Sequence, residues 1–185
     1  QDGAGEIDAV GEGVDAGRVG TRVWVWFAAH GRQHGSAAQW VCLPERQAVP
    51  LPAGASFELG ASLGIPALTA HHCLFRDGEV DGRTVLVAGG AGAVGHFAIE
   101  LGRRGGADVI ATVSSDEKAE LARKAGAQTI VNYRADDCAA TIRAAAPEGV
   151  DRIVEVAPAA NAALDSEVIA ANGVVAIYAA DGDLA

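Results

Sequence analysis

The chain has 185 residues, 14 of them basic and 24 acidic, and its formal charge of −10 repels a phosphate backbone, which argues against nucleic-acid binding as a main role. Half of the residues are apolar and 21% are charged, a balance that excludes disorder and suits a folded α/β protein. No apolar run approaches the roughly 18 residues of a membrane span, and Cys42, Cys73 and Cys138 are too scattered for a disulfide framework, which points to reduced thiols in the cytoplasm.

The opening, QDGAGEIDAV, reads as the middle of a strand, and no methionine occurs anywhere. The chain is therefore expected to be a piece of a longer polypeptide. Residues 1 to about 55 read as β-rich. AGEIDAVG and GTRVWVWFAA alternate in polarity as half-buried strands do, and AAQWVCLP and QAVPLP are expected as further short strands after a Gly/His-containing loop. A helical pair follows, SFELGASLG and IPALTAHHCLF, with Pro66 suited to a first helical turn.

From residue 83 the pattern becomes regular. TVLVA is a strand and AVGHFAIELGRR a helix, with Val94, Phe97, Ala98 and Leu101 at helical spacing. ADVIATV is a strand and SSDEKAELARKAG a helix, in which Ser114 and Glu117 form an S-x-x-E capping box and Gly126 suits the stop. QTIVNY, DDCAATIRAAA, VDRIVEV, NAALDSEVIAA and GVVAIYA continue strand, helix, strand, helix, strand. Five apolar strands joined by four helices predict a doubly wound parallel sheet with right-handed crossovers.

In such a sheet the first strand-to-helix turn is the favoured place for phosphate. Gly90-Ala91-Gly92-Ala93-Val94-Gly95 fits G-x-G-x-x-G at that turn. Gly90 is expected to make the tight turn, Gly92 to let the backbone approach a pyrophosphate, and Gly95 to let the helix pack closely. The amides of Ala93 and Val94 would face the phosphates at the positive end of the helix. An NAD site carries an acid about 20 positions on, to hold the ribose diol; here Val113 stands there, followed by Ser114, Ser115 and Lys118. Two hydroxyls and an ammonium suit a 2′-phosphate, so NADPH is expected rather than NADH. A solvated helix charge is the other reading of Lys118.

With these motifs the chain resembles the zeta-crystallin type of NADPH:quinone oxidoreductase, in the medium-chain dehydrogenase/reductase superfamily. The resemblance runs over DGAGEIDAVGEGV, GTRVW, LPAGASFELGASLGIPALTAHHCL and VLVAGGAGAVG, with Thr21 where an aspartate is usual. It implies a partial GroES-like catalytic domain over 1–65 and a Rossmann nucleotide domain over 66–185 whose last strand would follow GDLA. It also implies that Ala91 joins Gly92, Ala93 and Val94 at the pyrophosphate, and that Ser114 and Lys118 lie at the 2′-phosphate. By the same resemblance Tyr133 would fall at the adenosine end, and Thr69, Asn161, Tyr178, Ala179 and Ala180 would line the nicotinamide half. On pattern alone, Tyr133 and Tyr178 fit ordinary packing equally well.

Metal chemistry has little footing in the residues. A structural zinc lobe needs clustered cysteines; His30 and His34 sit in a glycine-containing loop, and His71, His72 and Cys73 are consecutive on a helix, where side chains diverge. No Ser-His-Asp signature occurs, so chemistry would rest on the cofactor, and no catalytic side chain is assigned. The resemblance thus implies a zinc-independent homodimer or homotetramer that passes hydride from NADPH to a quinone or similar conjugated carbonyl. An enoyl-thioester or alkenal reductase, and a non-catalytic, crystallin-like NADPH-binding protein, stay open as alternatives.

Overall fold

Residues 1–134 and 137–180 are described by the computed structural model, and the chain divides into two units, residues 1–68 and the residues from Thr69 onward. The tail beyond residue 180 lies outside the described residues, as does 136, the first residue of the expected DDCAATIRAAA helix.

In the first unit, β1 (Gly3–Glu6), β2 (Arg22–Val25) and β3 (Ala48–Pro50) form an antiparallel sheet in that order. Val23 and Val25 of β2 are buried and alternate with the half-exposed Arg22 and Trp24, the period of two that the sequence carries. AAQWVCLP, expected as a strand, pairs with nothing. Its residues Ala38–Leu43 instead line, with β1, a cavity of about 270 Å³, and Trp40 remains 68% exposed. β-Branched and aromatic content marks a segment that fits a pleated surface, but a ladder also needs a partner edge.

The expected helical pair appears as α1 (Phe57–Phe75), broken at Gly64 (φ −41°, ψ −106°). The side chain of Asp2 fills the break: its Oδ2 accepts from the Ile65 N–H at 2.7 Å, and a Cβ on Gly64 would fall 2.2 Å from that carboxylate. Pro66 stands in the first turn of the restarted helix, where no N–H is required.

The second unit holds a five-stranded parallel sheet in the order β6-β5-β4-β7-β8. Its strands are β4 (Thr84–Val87), β5 (Asp108–Val113), β6 (Thr129–Asn132), β7 (Val150–Glu155) and β8 (Ile169–Ile177). Helices α2 (Ala93–Arg104), α3 (Asp116–Ala125), α4 (Cys138–Ala145) and α5 (Pro158–Val168) connect them. The central strands are apolar on both faces, as a covered parallel sheet requires. Val85 and Val87 pack in one core with Ile99 of α2, while Leu86 packs in another with Ile142 of α4. Strand order reverses between β4 and β7, the switch point at which such sheets place ligands.

Among the boundaries that differ from expectation, two have a specific contact behind them. Ile169–Ala171, read as the end of a helix, belong to β8, because Ile169 pairs with Val150; the pairing shifts register before Arg152, near Asn172 at φ 64°. The N-cap of α3 is Ser115, not Ser114: the Ser115 hydroxyl accepts from the Lys118 N–H at 3.4 Å, while the Ser114 hydroxyl turns to the Lys118 side chain. Gly126 ends the helix at φ 110°. Ser115→Ala is therefore expected to cost about 1 kcal/mol and lower Tm by a few degrees, whereas Ser114→Ala leaves Tm nearly unchanged; paired thermal melts check this. Among the described residues no helix is long and apolar enough to cross a membrane.

Candidate functional site

All five strands of the parallel sheet contribute, beyond their carboxyl ends, to one cleft of about 540 Å³. The turn after β4 forms its floor. Gly89 sits there at φ +67°, in the left-handed region that favours glycine, so Gly89 makes the tight turn expected of Gly90. Thr112 of β5 holds that turn from both ends: its Oγ1 accepts from the Gly89 N–H at 3.2 Å and its carbonyl from the Gly90 N–H at 2.9 Å.

The remaining glycines are required by contact. A Cβ on Gly90 would lie 2.8 Å from Ala111 Cβ and 2.9 Å from Ile99 Cδ1, so Gly90 faces the core and is not among the residues lining the cleft. A Cβ on Gly95 would lie 2.4 Å from the Gly89 carbonyl oxygen; α2 thus packs on the backbone of the turn itself. Gly92 is the N-cap of α2. The amides of Ala93 and Val94 are among those a helix leaves without internal partners, and both residues line the cleft with Ala91 and Gly92.

At the end of β5 the cleft is lined by Val113, Ser114 and Lys118. Lys118 Nζ donates to Ser114 Oγ at 2.9 Å, so an ammonium and a hydroxyl stand together just past Val113. Tyr133, 51% exposed, follows β6, and Tyr178 follows β8. Burial first, then Cys73 and the Glu155 carboxylate, push the Tyr178 phenol up to about 12. It therefore stays protonated at physiological pH, able to donate a hydrogen bond and not to act as a base.

Of the residues singled out in the sequence, the cleft gathers Ala91, Gly92, Ala93, Val94, Ser114, Lys118, Tyr133 and Tyr178. It does not include Thr69, Gly90, Ser115, Asn161, Ala179 or Ala180 among its lining. Asn161 instead donates through Nδ2 to both oxygens of Glu155, at 3.0 and 3.1 Å. Sequence reasoning missed Gly89, Thr112 and Val156. The Gly89-Gly90 doublet was the available signal for the first; nothing in the sequence marks the other two.

Among the described residues, no three His, Cys, Asp or Glu side chains come together to hold a metal ion. His30 packs on Phe27 and His71 on Phe75, with ring centroids 5.5 and 4.9 Å apart, and His72 Nε2 lies 3.4 Å from Arg76. Each of these three histidines thus contacts a residue of its own segment.

The family model described as zinc-binding dehydrogenase matches residues 93–185. A quinone oxidoreductase of Rattus norvegicus is 31% identical over 185 residues, covering 99% of this chain and 55% of that protein. Among solved structures, a mycobacterial protein complexed with NADPH aligns with a TM-score of 0.83 at 31% identity, over 97% of this chain and 56% of the other. An enoyl reductase in its apo form aligns with a TM-score of 0.81 at 27% identity, over 100% of this chain and 54% of the other. The chain spans about half the length of these relatives.

Proposed function

Because this chain belongs to the zinc-binding dehydrogenase family, among the medium-chain dehydrogenases and reductases, we propose that it carries the nucleotide site of an oxidoreductase that moves hydride from NADPH to a quinone or similar electron-poor conjugated carbonyl, without zinc. The observation that supports this reading best is the Lys118–Ser114 pair, 2.9 Å apart, on the same cleft as the glycine turn. An ammonium and a hydroxyl with no carboxylate between them suit a phosphate on the ribose and disfavour a bare diol.

In this reading the Ala93 and Val94 amides bind the pyrophosphate, Ala91 and Gly92 admit it closely, and Gly90 and Gly95 keep the turn and helix in place. Ser114 and Lys118, with Ser115 as the cap that orients them, receive the 2′-phosphate, and Tyr133 borders the adenosine end. Tyr178 closes the opposite end with Val156, and Thr69, Asn161, Ala179 and Ala180 complete the nicotinamide half on the strength of the family resemblance. When bound, the cofactor would supply hydride, so that quinone, NADPH and one proton give hydroquinone and NADP⁺. The chain's own part is to bind, orient and exclude water. The reading takes the protein to be a cytoplasmic homodimer or homotetramer acting on small molecules.

Fluorescence titration tests the cofactor: NADPH should bind at least about tenfold more tightly than NADH, and equal affinities overturn the assignment. An acceptor panel with NADPH then separates the chemistries. Turnover of 1,4-benzoquinone supports the first reading. Turnover of an enoyl thioester alone supports a second, an enoyl reductase, which the likeness to the apo enoyl reductase favours. Tight binding without turnover of any acceptor marks a non-catalytic, crystallin-like protein.

A further inference from the structure

The last residue of β7, Glu155, is a carboxylate with no exposed surface. Its Oε1 accepts from the Ala157 N–H and from Asn161 Nδ2, and its Oε2 from the same Nδ2. The donors belong to the residue preceding α5 and to its first turn, so one buried carboxylate anchors the start of that helix. Asp165 lies four residues beyond Asn161, on the same helical face, and is 7% exposed, so a second buried carboxyl follows the first-turn residue that donates to Glu155. Two ionised carboxylates have only acceptors to offer each other and repel when buried together, whereas one shared proton gives the pair a donor.

The surroundings supply no cation in its place. Among the described residues no ion pair reaches either carboxylate. The ionisable group facing Glu155 from just past β8 is Tyr178, and beside Tyr178 lies the Cys73 thiol of α1; burial pushes that thiol up, with Arg152 opposing. Arg152, also on β7, is turned to the Cys73 carbonyl at 2.7 Å and to Asp77 at 3.3 Å. The pair is also placed at the cleft: Val156, next in sequence, and Tyr178, whose N–H bonds the Glu155 carbonyl at 3.1 Å, both line it.

We propose that Glu155 and Asp165 hold one proton between them beneath the cleft wall, and that this proton positions Asn161, the start of α5 and Tyr178, so that its loss loosens the wall and weakens nucleotide binding. Both are positioning residues. The nucleotide part of the statement rests on the function proposed above. Burial, then the charge and hydrogen bond of Glu155, push Asp165 up from 3.8 to about 7. A carboxyl raised in the folded state binds more protons there than when unfolded. The stability it contributes is complete below about pH 4 and is lost as pH rises to about 7, after which it is flat.

Asp165→Asn supplies a donor that does not titrate. In the native protein Tm should fall by on the order of 5 °C or more between about pH 5 and pH 8, with NADPH binding weakened roughly tenfold. In D165N both should stay nearly constant, and in D165A, which lacks the donor, both should be low throughout. Equal pH slopes in native protein and D165N overturn the proposal. If D165N does not fold, infrared spectra of the native protein decide. A protonated-carboxyl carbonyl band present at about pH 6 and lost by about pH 8 supports the shared proton, and its absence at pH 6 overturns it. Failure of NADPH to bind at any pH refutes the functional reading and leaves the Tm and infrared results as the measure of the proton itself.

Discussion

Gly95→Ala is expected to abolish NADPH binding and to cost the fold about 3 kcal/mol. The added Cβ would meet the Gly89 carbonyl oxygen at 2.4 Å, and the Gly89 carbonyl carbon and Gly90 Cα at 3.0 Å. All three are backbone atoms, and no rotamer relieves the clash. The turn cannot retreat freely, because Thr112 holds the Gly89 and Gly90 amides, and Ala111 and Ile99 press on Gly90 from beneath. The helix must therefore lift, taking the Ala93 and Val94 amides with it. Gly92→Ala is the control, since its Cβ would approach the Gly89 oxygen only to 3.2 Å; it should keep most of the stability. Denaturant melts with NADPH titrations read both effects, and native-like binding by G95A would refute the packing argument.

Lys118→Ala should weaken NADPH ten- to a hundredfold while leaving NADH nearly unchanged, the scale of a hydrogen bond to a charged group. Lys118 is exposed, so the loss should shrink as salt is added. Its Nζ is already directed by Ser114, which lowers the ordering cost of meeting a phosphate. Ser114→Ala should produce the same selectivity change at smaller size. The measurement is a pair of titrations per variant, and an equal loss for NADPH and NADH would remove Lys118 from the 2′-phosphate site.

The parallel sheet was readable because its strands are buried on both faces and its helices on one, so burial prints short continuous apolar runs for the strands and a helical period for the helices. Val94, Phe97, Ala98 and Leu101, spaced for a helix, do pack on the sheet core. Competition between neighbours of the same type was less legible. Gly89 and Gly90 are adjacent, and only the direction of the chain leaving β4 decides which takes the left-handed turn. Ser114 and Ser115 divide a cap and a lysine contact between them in the same way. The strand assignment at AAQWVCLP failed because pairing is a property of two segments, and a sequence pattern reports one. Glu155 was the least legible: a single acid ending an apolar strand looks like a surface charge until Asn161 and Asp165 are seen turned toward it.

The break in α1 carries a consequence for how the first unit assembles. From Ile65 onward the sequence can propagate a helix, yet the acceptor for its first amide lies 63 residues earlier, on Asp2. Local propensity cannot supply that bond. It requires the intervening chain to close into a loop, whose entropic cost the antiparallel strands help to offset. The start of this helical segment is thus fixed by a non-local contact, tied to the docking of the first strand.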